Sequence, residues 1–323
     1  MKPTSTLTPR RALAAATAGL ALTLAACTAS AASRPAGSTA TARRVASSST
    51  ASTTSERTAT ARVTVTPIVI PAADRSLAAA HHFRLVSTIY WSPALRLERR
   101  LIVMLPDAYY RRATSRFPVV EMLHGHPGSP LDLFTRTKGD VAETAAGPGI
   151  GPFIGLMPDG SGPLIDDSWW ANIPGQAMGT AVTQDLRRWA AAHLRISDRW
   201  TYAGLSTGGY AAGYLPTLPQ APVYGECGLS GFYDSRMPPI PQNYTASQRI
   251  PYTPELHAAD APPVVLLVYG TTDTQTRTQT LAYIAALRRA GHPYVLRTYP
   301  GGHQWRVWHP GFAECLRLVV PAA

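Results

Sequence analysis

The chain passes from a predicted strand into a predicted helix through Thr201-Tyr-Ala-Gly-Leu-Ser-Thr-Gly-Gly-Tyr-Ala-Ala-Gly213. The strand-forming run 199–205 stops at Ser206, and small residues that allow close helix packing follow it. Gly204 and Gly208 occupy the two positions where a β-carbon would obstruct a sharp strand-to-helix turn. The pattern predicts a nucleophile elbow, which projects the Ser206 hydroxyl from the carboxyl end of a sheet strand. An ordinary glycine-rich turn is the alternative.

Predicted strands and helices alternate on both sides of this stretch. The predicted strands are 117–123, 152–157, 199–205, 264–270 and 293–299, and the predicted helices are 182–194, 207–218, 275–289 and 305–318. This alternation favours the α/β class, with a mostly parallel central sheet and helices on both faces. Alternating residues over 83–90 and 98–105 predict an antiparallel pair at its start. The run 63–70 predicts an edge strand, which Pro67 weakens.

Six short pieces of sequence carry a resemblance that covers residues 82–320. In chain order they are Tyr109-Tyr110, Pro118-Val-Val-Glu-Met-Leu-His-Gly125, Met157-Pro-Asp-Gly160, Ala203-Gly-Leu-Ser-Thr-Gly-Gly-Tyr210, Leu229-Ser-Gly-Phe-Tyr-Asp234 and Gly302-His-Gln-Trp305. The chain thereby resembles the esterase family of α/β-hydrolases that includes esterase D, the feruloyl esterases and the antigen 85 mycolyltransferases. The resemblance implies the α/β-hydrolase fold and a serine-dependent acyl transfer at an ester, usually hydrolysis.

The acid of a serine triad comes after the serine in an α/β-hydrolase chain, in a loop that follows a sheet strand. Asp273 meets this requirement because it follows the strongly apolar run 264–270. A cap for the helix predicted from about Gln275 is the alternative role for this aspartate. Asp234 also follows a strand-like run and is the second candidate for the acid.

Three histidines follow these acids and could supply the base. His303 comes after the last predicted strand, opens a helix and matches the Gly-His-x-Trp pattern of the resembling family. His292 precedes that strand, and His309 lies within the helix. We therefore predict that His303 is the base and completes a triad with Ser206 and Asp273.

Two backbone amides are predicted to bind the oxyanion of the reaction. Thr207 supplies one, because its N–H lies at a helix start beside the serine. The second donor comes from the loop after an early strand, where Pro127 has no N–H to give. His126 is the predicted donor in that loop, and Gly125 and Gly128 are the alternatives.

Two tryptophans are predicted to bind substrate. Trp169 and Trp170 follow Met157-Pro-Asp-Gly160, in the region where the resembling family forms part of its acyl or alcohol pocket. Burial in the core is the alternative for both rings. His124 is predicted to be a buried hydrogen-bonding residue without a catalytic role.

Composition excludes several other function classes. The chain has a formal net charge of +11, but eight basic residues and only Glu56 as an acid fall within residues 1–62, which leaves +4 for the remainder. That remainder contains no basic stripe with interleaved aromatics, so nucleic acid is not a predicted partner. The sequence also lacks zinc-binding, Walker and dinucleotide-binding patterns, so neither a metal nor a cofactor is predicted.

Residues 1–27 indicate a bacterial export signal with lipid attachment. Basic residues precede the apolar run 12–26. Leu24-Ala-Ala-Cys27 resembles the lipobox of bacterial lipoproteins, in which the cysteine is lipidated and becomes the first mature residue. Ordinary signal cleavage near Ala31 is the alternative, and Arg10-Arg11 also permits twin-arginine export. The predicted location is the cell membrane, facing the envelope, or the secreted fraction.

Two segments follow the export signal. Residues 28–62 are almost all Ser, Thr, Ala and Arg, and they predict a disordered tether. Residues 63–323 form the predicted α/β-hydrolase domain, which contains Cys227 and Cys315. An exported location permits a disulfide between these cysteines, and two buried thiols are an equal alternative.

One favoured function and two alternatives follow from these predictions. The favoured function is serine-dependent hydrolysis of a carboxylic ester through an acyl-enzyme, on a small-molecule or cell-envelope substrate. The first alternative transfers the acyl group to a sugar or lipid alcohol, as the mycolyltransferase resemblance implies. The second is a non-catalytic cell-surface binding module on the same fold. Membrane contact is predicted only through the lipid anchor.

Overall fold

The computed structural model describes residues 65–135, 140–320 and 322. The predicted export signal, the predicted lipidation site Cys27 and the predicted tether over 28–62 lie outside these residues. No helix within the described ranges is both long enough and apolar enough to cross a membrane.

An eight-stranded sheet lies at the centre of the described body. The strands of the described residues, which include a separate hairpin formed by β5 and β6, are β1 (Phe83–Ser92), β2 (Leu97–Pro106), β3 (Phe117–Leu123), β4 (Ile154–Pro158), β5 (Asn172–Ile173), β6 (Gln176–Ala177), β7 (Ile196–Leu205), β8 (Gly225–Leu229), β9 (Val264–Gly270) and β10 (Val295–Tyr299). The large sheet has the order β1, β2, β4, β3, β7, β8, β9, β10. β2 is antiparallel to both neighbours, and all pairs from β4 to β10 are parallel. The predicted mostly parallel sheet and its antiparallel opening pair are confirmed.

Helices cover the two faces of this sheet. The α-helices of the described residues are α1 (Ala72–Ala80), α2 (Asp107–Arg111), α3 (Asp132–Thr135), α4 (Asp140–Ala145), α5 (Met178–Thr180), α6 (Arg187–His193), α7 (Thr207–Tyr214), α8 (Ala246–Arg249), α9 (Thr274–Arg289) and α10 (Trp305–Val319). A π-helix over Ala181–Leu186 runs into α6, and 3-10 turns occupy Leu215–Thr217, Ile250–Tyr252 and Pro254–Asp260.

Alternate residues of each strand pack on opposite faces of the sheet. In β9, Leu266 and Val268 share a core with α10, whereas Val265 and Leu267 share one with α9. The second face continues under α7 and the π-helix around β3 and β7. Because both faces are covered, the central strand β9 has a continuous apolar sequence. The α/β-hydrolase fold prediction is confirmed.

The predicted edge strand over 63–70 is wrong. Its described part, residues 65–70, pairs with no strand and leads into α1, which begins after Pro71. Pro67 has no N–H for a sheet ladder, and Val69 leaves 86% of its surface exposed, although Ile70 is buried and Ile68 packs against the core. The alternating sequence pattern alone did not form a strand, because no neighbouring strand pairs with the described part of this segment.

A disulfide joins the sheet to the last helix. Cys227 of β8 and Cys315 of α10 are both fully buried, and their Cα atoms are 5.9 Å apart. The bridge closes a loop with a sequence separation of 88 residues. Of the two alternatives that the sequence left open, the structure has the disulfide.

A carboxyl group lies buried in the same strand. Glu226 of β8 is 1% exposed, and its Oε1 accepts a 2.9 Å hydrogen bond from the Tyr283 hydroxyl. Burial raises the pKa of Glu226 from 4.5 to about 8, although the bond from Tyr283 acts in the opposite direction. The folded protein therefore holds this carboxyl mainly in its neutral form at pH 7.

Replacing Glu226 by Gln is expected to stabilise the fold at neutral pH. Because folding raises the pKa of this carboxyl, its protonated form stabilises the folded state fully below the unfolded pKa of 4.5. This stabilisation is lost as the pH rises through about 8. The loss at pH 7 is about 3 kcal/mol, and an amide avoids it while keeping the oxygen that faces Tyr283. Thermal unfolding at pH 5 and pH 8 measures the change. We expect a larger gain at pH 8, whereas the same substitution at the exposed Glu143 should give none. An equal gain at both pH values would contradict the buried titration.

Candidate active site

The turn after β7 holds its serine in a strained backbone conformation. Ser206 has φ 57° and ψ −119°, a region that side chains rarely adopt. A β-carbon on Gly204 would collide with the carbonyl oxygen of Gly208, and one on Gly208 would collide with that of Leu123. Strand and helix therefore meet as closely as the sequence pattern predicted, because glycine occupies both positions.

Backbone hydrogen bonds fix the serine in this turn. The Ser206 N–H donates to the Leu229 carbonyl at 2.9 Å, and the Ser206 carbonyl accepts from the Tyr210 N–H at 3.0 Å. These bonds tie the turn to the end of β8 and to the first turn of α7. Ser206 is 7% exposed, so only a small part of its surface faces the solvent.

The three predicted triad side chains meet at the carboxyl edge of the sheet. The His303 Nε2 lies 2.8 Å from the Ser206 Oγ, and the His303 Nδ1 lies 2.9 Å from the Asp273 Oδ2. Ser206 follows β7, Asp273 follows β9 and His303 follows β10. Parallel strands place their carboxyl ends at one edge, which brings together residues far apart in sequence.

The two oxygens of Asp273 have different partners. Oδ2 faces His303, and Oδ1 accepts from the N–H of Thr276 at 3.3 Å, where Asp273 caps α9. Both roles considered from the sequence, partner of the histidine and helix cap, thus coexist in one carboxylate. Burial alone would raise the pKa of Asp273, but the hydrogen bonds from Thr276 and His303 outweigh it and lower this pKa. The carboxylate is therefore ionised at neutral pH.

The other candidates for acid and base lie elsewhere. Asp234 forms an ion pair with Arg236. His292 contacts the carbonyl of Ala261 at 2.9 Å, and His309 lies in α10 with its Nε2 3.4 Å from the Thr144 hydroxyl. Among the described residues, no group of three or more His, Cys, Asp or Glu could hold a metal ion.

The predicted oxyanion donors lie on two segments beside the serine. Thr207 is the first residue of α7, where a backbone N–H has no acceptor within the helix. His126 is in the loop after β3, next to Gly125, whose backbone packs on the elbow. A β-carbon on Gly125 would come within 3.0 Å of the Ser206 β-carbon. A β-carbon on Gly128 would collide with the Gly125 carbonyl oxygen.

His124 is buried next to this loop and holds it by hydrogen bonds. It is 7% exposed, and its Nε2 accepts from the Gly160 N–H at 2.9 Å. Its Nδ1 therefore carries the proton and donates to the Gly125 carbonyl at 2.8 Å. Burial lowers the pKa of His124, which keeps the ring neutral. The prediction of a buried hydrogen-bonding histidine agrees with this geometry.

Aromatic rings form a wall beside the predicted base. Trp169 packs on Phe232 with ring centroids 5.4 Å apart, and Phe232 lies 5.8 Å from the His303 ring. Trp169 also contacts Tyr210 of α7 at 5.8 Å. Phe232 was not predicted as a site residue, although it belongs to the family-like piece Leu229-Ser-Gly-Phe-Tyr-Asp234. We call Trp169 and Phe232 the aromatic wall. The adjacent Trp170 is not part of it.

The structure places Trp170 in the core, the alternative that the sequence left open for this ring. Trp170 is 1% exposed, its ring packs on His124, and its Nε1–H donates to the His124 carbonyl at 3.2 Å. A β-carbon on Gly160 would lie 2.7 Å from this ring, which shows how closely the backbone covers it. Adjacent residues at φ 49° and 62° point in different directions, so Trp169 and Trp170 have separate environments.

Residues 92–319 match the model of the family described as “Putative esterase”. A curated relative, an uncharacterized protein of Corynebacterium glutamicum, is 26% identical over 114 residues, which are 33% of this chain and 26% of that protein. The chain thus spans about a quarter of the length of the curated relative that it matches.

Solved structures with the same fold include several esterases. A ferulic acid esterase has 20% identity and a TM-score of 0.60, covering 74% of this chain and 98% of its own. A fluorophosphonate-binding serine hydrolase of Staphylococcus aureus has 18% identity and a TM-score of 0.60, covering 74% and 99%. An S-formylglutathione hydrolase of the same organism has 17% identity and a TM-score of 0.54, also covering 74% and 99%. At these identities the likeness concerns the fold.

Proposed function

The chain belongs to the “Putative esterase” family, and we propose that it hydrolyses carboxylic esters through Ser206, Asp273 and His303. The observation that carries this proposal is the unbroken contact from Ser206 Oγ through both ring nitrogens of His303 to Asp273 Oδ2, at 2.8 Å and 2.9 Å. A serine activated by an oriented imidazole is the nucleophile of this class of enzyme.

Each member of the triad has one chemical task. The Nε2 of His303 takes the Ser206 proton while the Ser206 Oγ attacks the ester carbonyl carbon, and the ionised Asp273 holds the Nδ1–H and stabilises the charged imidazole. The alcohol then leaves with the proton from His303. Water, deprotonated by the same nitrogen, attacks the acyl-enzyme and releases the acid and the free serine.

The oxyanion formed in each half of the reaction needs donors beside Ser206. We assign this role to the backbone N–H groups of Thr207 and His126, which lie on the two segments that pack on the serine. The start of α7 adds a favourable partial positive charge at Thr207. Neither donor has to reorganise when the negative charge develops, because both belong to the folded backbone.

The aromatic wall suits the apolar part of a small ester. Trp169 packs on Phe232 and Phe232 on His303, and the two mostly buried rings, 7% and 8% exposed, border the place where a bound acyl or alcohol group would lie.

We also propose that the enzyme acts outside the cytoplasm, anchored through Cys27. The export pattern of residues 1–27 and the buried disulfide, a bond typical of oxidising compartments, support this location. If the enzyme is absent from the membrane fraction of cells, that result would argue against the lipid anchor.

The test of the function uses the full chain and a panel of p-nitrophenyl and aromatic-acid esters. We expect turnover of at least the short-chain esters and complete inhibition by a fluorophosphonate that modifies one residue, Ser206, as identified by peptide mapping. Free acid as the product indicates hydrolysis, whereas an acylated sugar or lipid alcohol in the presence of such an acceptor would indicate transfer. No turnover and no labelling of Ser206 would overturn the proposal.

A further inference from the structure

The loop after β4 is built against the loop that carries His126. We define the bracing loop as residues 160–170. At its start, the Gly160 N–H donates to the His124 Nε2 at 2.9 Å, and at its end the Trp170 Nε1–H donates to the His124 carbonyl at 3.2 Å. Ser168 closes the loop by donating from its hydroxyl to the Gly160 carbonyl. Both ends of the bracing loop thus donate hydrogen bonds to His124, which lies two positions before His126.

A third contact reaches His126 itself. The Asp167 Oδ1 lies 3.5 Å from the His126 Nδ1, and the Asp167 Oδ2 accepts from the Trp169 Nε1–H at 2.8 Å. The side chains of Asp167 and His126 are 31% and 40% exposed, so both lie at the surface of the site. One carboxylate therefore joins the loop of the predicted oxyanion donor to the aromatic wall.

Unusual backbone lies two residues after this carboxylate. Trp169 and Trp170 have φ values of 49° and 62°, which side chains rarely adopt, and the Trp170 N–H donates to the Ser168 hydroxyl at 3.0 Å. Two consecutive residues in this region carry a conformational cost that the surrounding contacts must offset. Such strain commonly marks segments whose geometry serves a site rather than stability.

The core contacts the peptide between Gly125 and His126 at its carbonyl oxygen. Its carbonyl accepts from the His124 Nδ1–H at 2.8 Å, and because the peptide is trans its N–H points away from the His124 ring. The side chain of His126 extends on the exposed side, where its Nδ1 lies 3.5 Å from the Asp167 Oδ1. A shift of His126 would rotate the peptide plane and move the N–H.

We propose that Asp167 is a positioning residue that orients the His126 backbone N–H for the oxyanion. It acts through the His126 imidazole and at the same time holds the Trp169 ring at the wall. This inference rests on the proposed esterase function and on the His126 amide as a donor. It predicts that the carboxylate contributes to transition-state binding more than to binding of the ester.

The test replaces Asp167 by Ala in the full chain and measures hydrolysis of p-nitrophenyl acetate. We expect kcat to fall about 10-fold with KM changed less than about 3-fold, because a misplaced donor loses part of the 10²- to 10³-fold effect of an oxyanion contact. Affinity for a boronic acid that forms a tetrahedral adduct with the serine should fall by the same factor as kcat. Asp167→Asn, which keeps one acceptor oxygen, should lie between Ala and wild type.

A double-mutant cycle with His126→Ala shows whether Asp167 acts through His126. The His126 variant keeps its backbone N–H, so if the two residues act as a unit, the double variant should be no slower than the slower single variant. The matched control is Asp166→Ala, at the neighbouring exposed carboxylate, which should retain wild-type kcat. Wild-type kcat in a folded Asp167→Ala, a change confined to KM, or fully additive losses would overturn the inference. Each of these outcomes would leave the esterase function intact, since that depends on turnover and labelling of Ser206 in the wild type.

Discussion

Ser206→Ala is expected to lower kcat for short p-nitrophenyl esters by about 10⁶-fold, the loss found when the nucleophile of a serine triad is removed. Without the hydroxyl, no acyl-enzyme forms, and only the oxyanion donors and substrate binding remain to assist direct attack by water. Steady-state kinetics with a long observation time, together with fluorophosphonate labelling, measures the loss.

The fold should survive this change. Alanine keeps the β-carbon that already fits the φ of 57° at position 206, and the backbone bonds to Leu229 and Tyr210 do not involve the hydroxyl. Thermal unfolding should therefore match the wild type. A matched control is Ser230→Ala, since Ser230 is also buried, follows the neighbouring β8 and has a φ of 49°. Its kcat should remain within a few-fold of wild type. Full activity in Ser206→Ala would show that another residue is the nucleophile.

The elbow could be predicted from sequence because its strand, turn and helix are consecutive in the chain. A β-carbon on Gly204 would first meet the Gly208 carbonyl, four residues along, whereas the contact of Gly208 with Leu123 of β3 is long-range. The strand β9 was equally clear, because burial on both faces makes it a continuous apolar run. β8 was not predicted as a defined strand, since Gly225 to Leu229 contains two glycines and the buried Glu226.

The parts that sequence could not supply depend on distant contacts. The sequence does not show that the Cα atoms of Cys227 and Cys315 lie 5.9 Å apart, because this distance depends on how α10 packs on the sheet. Trp169 and Trp170 are adjacent in sequence, yet only the fold shows that one borders Phe232 and the other lies beneath His124. In each case the deciding neighbour comes from another part of the chain.

The bracing contact of Asp167 is the clearest example of this limit. An aspartate before Ser-Trp-Trp has no local signal that separates it from the neighbouring Asp166. Its partner His126 is more than forty residues away, and the loop after β4 must fold back onto the loop after β3 before they meet. Parallel β3 and β4 are adjacent in the sheet, which is why the loops at their carboxyl ends come together.

Asp273→Asn is expected to lower kcat by about 10⁴-fold, with little effect on KM. An amide lacks the negative charge that stabilises the protonated imidazole, and its NH₂ group can favour the tautomer of His303 that cannot accept the Ser206 proton. The pKa of Asp273 is lowered below its ordinary value of 3.8, so the carboxylate is ionised above about that pH and protonates only below it. The deficit of the Asn variant should therefore be similar at pH 6, 7 and 8, as pH-dependent kinetics would show.

The double role of Asp273 makes the Asn substitution more informative than Ala. Asn can still cap α9 by accepting from the Thr276 N–H, so the helix start should be retained and the loss should arise at the His303 side. The matched control is Asp234→Asn, which changes the other acid considered for the triad and removes only the ion pair with Arg236. Arg236 is 79% and Asp234 24% exposed, and an ion pair that reaches the solvent in this way contributes little, so kcat should stay within about 3-fold of wild type. A large loss in Asp234→Asn with near-normal activity in Asp273→Asn would reverse the assignment of the acid, even though the contact between Asp273 and His303 is short.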